Sequence, residues 1–154
     1  MRRSLVVVAA AALALIGCPA AEERPAVDSA AGEQADRNTT LAAFSGDWNV
    51  RAMPEQGDST LVTYVVRATN DTSGWTITFP NREPIPMRVL SVAGDSVVLE
   101  VGPYESALRP NVQVITRSVN RVQGDRMIGT AVARYQNAGA DSVRRLRIEG
   151  TRAP

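Results

Sequence analysis

The chain has no histidine, no lysine and a single cysteine, Cys18, in 154 residues. Each absence removes a kind of chemistry. Without histidine there is no Ser/His/Asp triad, no Cys/His nucleophile and no imidazole metal site. Without lysine there is no amine for Schiff-base catalysis. With one cysteine no internal disulfide can form. The remaining candidates do not assemble a mechanism. Asp95, Glu100, Glu105 and Asp125 fall mostly in turns, where Asp is common for backbone reasons, and no spacing makes them a catalytic pair or a calcium loop. Ser59, Ser91 and Ser118 have no base to activate them. The expectation is a protein with no catalytic residues, no cofactor and no metal.

What is present begins at the amino terminus. Met1-Arg2-Arg3 precedes an unbroken apolar run from Leu5 to Ile16, and Leu15-Ile16-Gly17-Cys18 closes it. The run suits a secretory signal and is too short for a membrane-spanning helix of about 20 residues. Its end resembles the lipobox of bacterial lipoproteins. That resemblance implies a signal peptide over 1–17, diacylglyceryl transfer to the Cys18 thiol and cleavage before it. Two or three acyl chains anchor stably where one does not, so the expected partner is a membrane, reached through the lipid. Pro19 is not the Asp that commonly retains lipoproteins at the inner membrane. The expected location is therefore the cell envelope, at the outer membrane facing the periplasm in a Gram-negative cell.

Residues 18–40 read as a lipidated Cys and flexible linker. From Pro19 to about Asn38 the chain is rich in Ala, Glu and Pro, and apart from Val27 it lacks large aliphatic or aromatic side chains. Such a stretch buries too little apolar surface to offset its ordering entropy. A short helix over 30–37 would be marginal alone. Extended, about twenty residues reach roughly 70 Å. Without Arg2 and Arg3 the 17 basic residues fall to 15, against 16 acidic ones. That balance speaks against nucleic acid and against a polybasic membrane patch.

Residues 41–154 are one domain's worth of chain. From Leu41 onward, short β-branched or aromatic runs alternate with turns at about ten-residue spacing, and no segment sustains a helical period. Eight strands are expected, near 45–53, 60–68, 74–80, 85–93, 96–102, 112–121, 126–136 and 142–152. Gly or Asn in the turns supplies the positive φ that tight hairpins need. Only the fifth link, Pro103 to Asn111, is long. Short links mean an antiparallel meander, and eight meandering strands favour closure into a barrel without exposed edges. The fold class expected is all-β, an eight-stranded up-and-down barrel. An immunoglobulin-like sandwich is the alternative closure.

Gly46-Asp47-Trp48 in the first strand resembles the Gly-x-Trp that opens the lipocalins and the wider calycin group. The resemblance spans residues 44 to 154 and implies that Trp48 plugs the closed end of a barrel beneath an arginine from the last strand. Arg152 is the best match, on the apolar face of strand eight with Leu146, Ile148 and Gly150; Arg147 falls on the polar face. Second and third lipocalin motifs are absent. The group's habit implies a small apolar ligand at the open end. Trp75, Phe79, Leu99 and Tyr135 are the candidate wall, with 103–111 as lid. The alternative is a solid-cored interaction module docking an envelope protein. An internal void of about 300 Å³ or more under the lid would favour the first, and a solid core would sink it.

Overall fold

A computed structural model describes residues Val27–Pro154; Cys18, the signal region and the first part of the linker lie outside them. One helix, α1 (Val27–Phe44), leads into eight strands: β1 (Gly46–Pro54), β2 (Val62–Ala68), β3 (Thr76–Thr78), β4 (Ile85–Ala93), β5 (Ser96–Glu105), β6 (Gln113–Gln123), β7 (Arg126–Tyr135) and β8 (Val143–Arg152). Each strand pairs antiparallel with the next, and β8 pairs with β1, closing an eight-stranded barrel in meander order. The sandwich alternative is thereby excluded.

Local chemistry explains the turns. Gly94-Asp95 and Gly124-Asp125 are two-residue hairpin links whose glycines sit at φ +55° and +60°, a region open to glycine without steric cost. Alternation then sorts the walls. Trp48, Val50 and Ala52 of β1, Val97, Leu99 and Val101 of β5, and Leu146 and Ile148 of β8 are buried inside. Strand β2 resolves its mixed pattern by turning Val62, Tyr64 and Val66 inward and leaving Val65 exposed.

Two elements differ from the sequence reading. Strand β5 does not stop before Pro103 but continues to Glu105 through a register shift between Val101 and Tyr104. Gly102 makes this bulge feasible: its φ is +114°, and a Cβ there would lie 2.6 Å from the Val114 carbonyl oxygen. A bulge re-aims the side chains that follow, and here it turns Tyr104 over the barrel interior.

The second difference is α1. The stretch read as flexible up to residue 40 is helical from Val27, and the expected domain boundary at 40/41 cuts through a continuous helix. Residues 30–39 are exposed, so the docking comes from the last turn. There Thr40, Leu41 and Phe44 are buried, Phe44 completely. The Phe44 ring packs on Trp75 at 5.8 Å between centroids, and the Thr40 hydroxyl donates to the Gly94 carbonyl at 2.5 Å. Burying Leu41 and Phe44 contributes about 1.5–3 kcal/mol each, which offsets the ordering that a helix in isolation cannot.

The helix end is also capped by the barrel. Helix termini leave their last carbonyls without intrahelical partners. The Ser45 amide donates to the carbonyls of Leu41 and Ala42. The Trp48 indole N–H donates to Phe44 O at 2.7 Å, and Arg152 Nη2 donates to Ala43 O at 2.8 Å. Arg152 Nη1 reaches Ser45 O at 2.8 Å, while its guanidinium lies 4.3 Å from the Trp48 ring centroid. Trp48 and Arg152 are directly paired across β1 and β8. This cluster plugs the closed end.

Candidate functional site: the interior beneath the loop 106–112

Toward the opposite end the barrel holds an internal cavity of about 60 Å³. Its roof is the β5–β6 loop, which contributes Ser106, Ala107 and Leu108. The loop is well tied. The Ser106 hydroxyl oxygen accepts the amides of Leu108 and Arg109, and Ser106 N–H donates to Val112 O at 2.9 Å. Two arginines latch it to its neighbours. Arg82 lies over the Phe79 ring and donates to Glu105 O. Arg109 lies 4.4 Å from the Tyr135 ring centroid and donates to Asp141 O at 3.1 Å.

Below the loop, three aromatic rings form a row. Phe79 stacks on Tyr104 at 5.4 Å and tilts against Tyr64 at 5.5 Å. Tyr64 and Phe79 also border a groove on the outside of the barrel, about 680 Å³ in volume, shared with Arg51, Thr63, Thr78 and Glu149. They stand where β3, with three residues, makes the shortest strand of the wall. Burial pushes the Tyr64 hydroxyl pKa well above the ordinary phenol value, and the nearby Tyr104 adds to it. Burial raises Tyr104 as well, against an opposing hydrogen bond with Thr116. Both phenols are held neutral.

Adjacent strands make the rest of the cavity asymmetric. The inward residues of β6 are Val114, Thr116, Ser118, Asn120 and Val122, a polar stripe between two valines. Facing them in register on β7 are Tyr135, Ala133, Ala131, Gly129 and Met127, so small side chains leave room beside the polar ones. Tyr104 and Thr116 share a hydroxyl–hydroxyl hydrogen bond of 3.1 Å, and Asn120 Nδ2 donates to Ser118 Oγ at 2.8 Å. The Asn120 Oδ1 atom is buried with no partner. It packs on Gly129, where a Cβ would come within 2.5 Å of it and 2.4 Å of Val119 O. The rest of the lining is largely apolar and includes Val50, Leu99, Leu146 and Ile148.

Of the four ligand-contact candidates, Phe79, Leu99 and Tyr135 line this cavity. Trp75 does not, and that expectation is corrected. It is buried at the closed end beneath α1, with its indole N–H on Asp71 O at 2.9 Å. Sequence reasoning missed Tyr64, Tyr104 and the stripe Thr116–Ser118–Asn120. The alternation of the stripe was visible, but the other face of β6 carries Arg117 and Arg121, so both faces read as polar. The cavity is also smaller than the roughly 300 Å³ that would have marked a ready-made ligand chamber, and it is not a solid core. No protein-family model, no characterised protein and no solved structure matches the chain.

Proposed function

We propose that this is a lipid-anchored envelope protein whose barrel binds a small ligand inside, beneath the 106–112 loop. The observation that carries the reading is the lined cavity itself. A purely structural core closes with apolar side chains, since buried polar groups cost free energy unless fully paired. Here a polar stripe, with an unpartnered amide oxygen at its foot, runs down a barrel wall beside Gly129, Ala131 and Ala133. The volume sets the scale. About 60 Å³ is well below a ready-made ligand chamber of about 300 Å³, so a larger guest requires side chains of the lining to move. The Lipobox-like end at Cys18 supports the envelope location and the membrane as partner.

Native mass spectrometry of the protein isolated from its source cells tests the ligand. A co-purified small molecule released on unfolding supports the reading, and bare protein under conditions that preserve a control lipocalin complex opposes it. For the anchor, Cys18→Ala should lose the lipid mass and leave the membrane fraction. Unchanged membrane association would contradict it.

One observation favours the interaction-module reading instead. On the outer face of β6, β7 and β8, Arg117, Arg134 and Arg145 make no ion pair among the described residues. They alternate in register with Ile115, Val132 and Val143. Val119 and Val143 are 46% and 51% exposed. Such a face suits an acidic protein partner with some apolar surface.

A further inference from the structure

The outer surface of the barrel treats its arginines in two ways. Around β1, carboxylates answer them: Arg67 pairs with Asp47 at 2.9 Å, Arg51 with Glu149 at 2.6 Å and Arg147 with Asp58 at 2.6 Å. Across β6, β7 and β8, Arg117, Arg121, Arg134 and Arg145 have no ion pair among the described residues. Strand alternation decides their surroundings. Because Val114, Thr116, Ser118 and Asn120 face the lumen, β6 presents Ile115, Arg117, Val119 and Arg121 outward. Opposite these four in register stand Arg134, Val132, Thr130 and Ile128 of β7, so guanidinium and aliphatic side chains face one another across the two strands. The carboxylate beside them, Glu100 opposite Arg117 on β5, is taken by Arg88. A groove of about 380 Å³ lies on this face, lined by Arg117 and Arg134 together with Ile115, Val119 and Val132.

The chemistry of the face selects among occupants. A second copy docked through the same face would set four unpaired arginines against four, and like charges brought together at an interface oppose binding. Surfaces that enter a bilayer carry Trp, Phe or Leu, and the outward residues of β6 and β7 include none of these. An acidic protein segment answers both the charge and the aliphatic floor. An extended one also answers the spacing, since outward residues recur at every second position along β6, roughly 6.8 Å apart, as do the same-side residues of any extended chain.

We infer that this face docks an acidic segment of another protein, extended along β6, in which aliphatic and carboxylate side chains alternate on one side. The aliphatic side chains lie over Ile115 and Val119, and the carboxylates meet Arg117 and Arg121. This inference rests on the interaction-module reading above and does not involve the cavity.

The probe is the end-blocked peptide Val-Ser-Glu-Ser-Val-Ser-Glu, titrated into the folded protein at low salt and followed by NMR shifts of the β6 and β7 amides. A reordered peptide of the same composition, Val-Val-Ser-Ser-Ser-Glu-Glu, breaks the alternation and should bind about tenfold more weakly. An exposed ion pair is worth up to about fivefold in affinity. Arg117→Gln should therefore weaken the alternating peptide by about three- to fivefold, and Arg117→Gln with Arg121→Gln by about tenfold. Arg67→Gln, on the far side of the barrel, should change nothing. Equal binding of the two peptides, lost in the double variant, overturns the extended register while an acidic partner stands. If neither peptide binds at millimolar concentration, the interaction-module reading fails together with this inference. Tighter binding of the face to phosphatidylglycerol vesicles than to either peptide assigns it to a membrane, and a dimer in sedimentation equilibrium that the double variant abolishes assigns it to a second copy; each overturns the inference.

Discussion

Replacing Arg152 with Met should unlatch α1 from the barrel. The guanidinium makes three separable contacts: the Trp48 ring at 4.3 Å and the carbonyls of Ala43 and Ser45, each at 2.8 Å. Arg152 is solvent-exposed, so its contacts are valued as exposed rather than buried ones. The cation–π contact contributes about 0.5–1 kcal/mol at an exposed site. The two hydrogen bonds contribute about 0.5–1.5 kcal/mol each, and the Ala43 bond includes the favourable placement of a cation at a helix C-terminus. Methionine retains much of the stem's packing on Trp48, so the loss is about 2–3 kcal/mol. For a domain of this size that corresponds to a fall in Tm of roughly 8–12 °C. Because residues 30–39 make no buried contact, the helix should fray before the barrel opens. Circular dichroism at 222 nm should then fall below the Tm, while tryptophan fluorescence tracks the main transition. In a double-mutant cycle with Trp48→Phe, which deletes the indole donor to Phe44 O, the two changes should couple by about 1 kcal/mol. An Arg152→Met protein melting within about 2 °C of the parent, with its helix signal intact, would refute the capping account.

Three further outcomes follow from the same structure. Gly129→Ala forces a Cβ to within 2.4 Å of the Val119 carbonyl, which is backbone and cannot swing away, so β6 and β7 must part locally. A cost of roughly 1–3 kcal/mol should appear as a lower urea midpoint at unchanged m-value; Gly32→Ala, with nothing within 4 Å in an exposed helix, should instead gain up to about 1 kcal/mol. The raised pKa values of Tyr64 and Tyr104 make the fold alkali-sensitive. Their contribution is fully present below the unfolded value of about 10 and is lost as pH rises above it toward the folded values, at up to about 1.4 kcal/mol per pH unit per tyrosine. Absorbance at 295 nm, compared with Tyr64→Phe and Tyr104→Phe, should show these two rings ionising only as the barrel unfolds; their titration near pH 10 with circular dichroism unchanged would contradict the burial argument.

The barrel was legible in the sequence because its determinants are local. Gly94-Asp95 and Gly124-Asp125 announce hairpins by backbone stereochemistry alone, and the alternation of Val97, Leu99 and Val101 fixes which side of β5 is wet. Even the long-range placement of Trp48 opposite Arg152 was accessible, since strand count and the Gly46-x-Trp48 resemblance together put both at one barrel end. The helix was not. Its first two turns are polar and Ala-rich, which a propensity argument leaves marginal, and its stability comes from Trp75, Gly94, Trp48 and Arg152, distributed from β1 to the end of β8.

The interior was the least legible part, for a related reason. Alternation tells which residues face inward, but not which of them meet across the lumen. Trp75 and Phe79 lie on the same side of one segment, yet one seals the closed end under Phe44 and the other roofs the cavity beside Tyr104. The bulge at Gly102 decides that Tyr104 covers the opening. Composition and periodicity by themselves determined an all-β chain of eight short-linked strands and the chemistry it lacks. Only the closed tertiary structure decided that the polar stripe of β6 faces inward beside Gly129, Ala131 and Ala133, because a cavity is defined by the side chains of many strands converging on one space and no single strand encodes it.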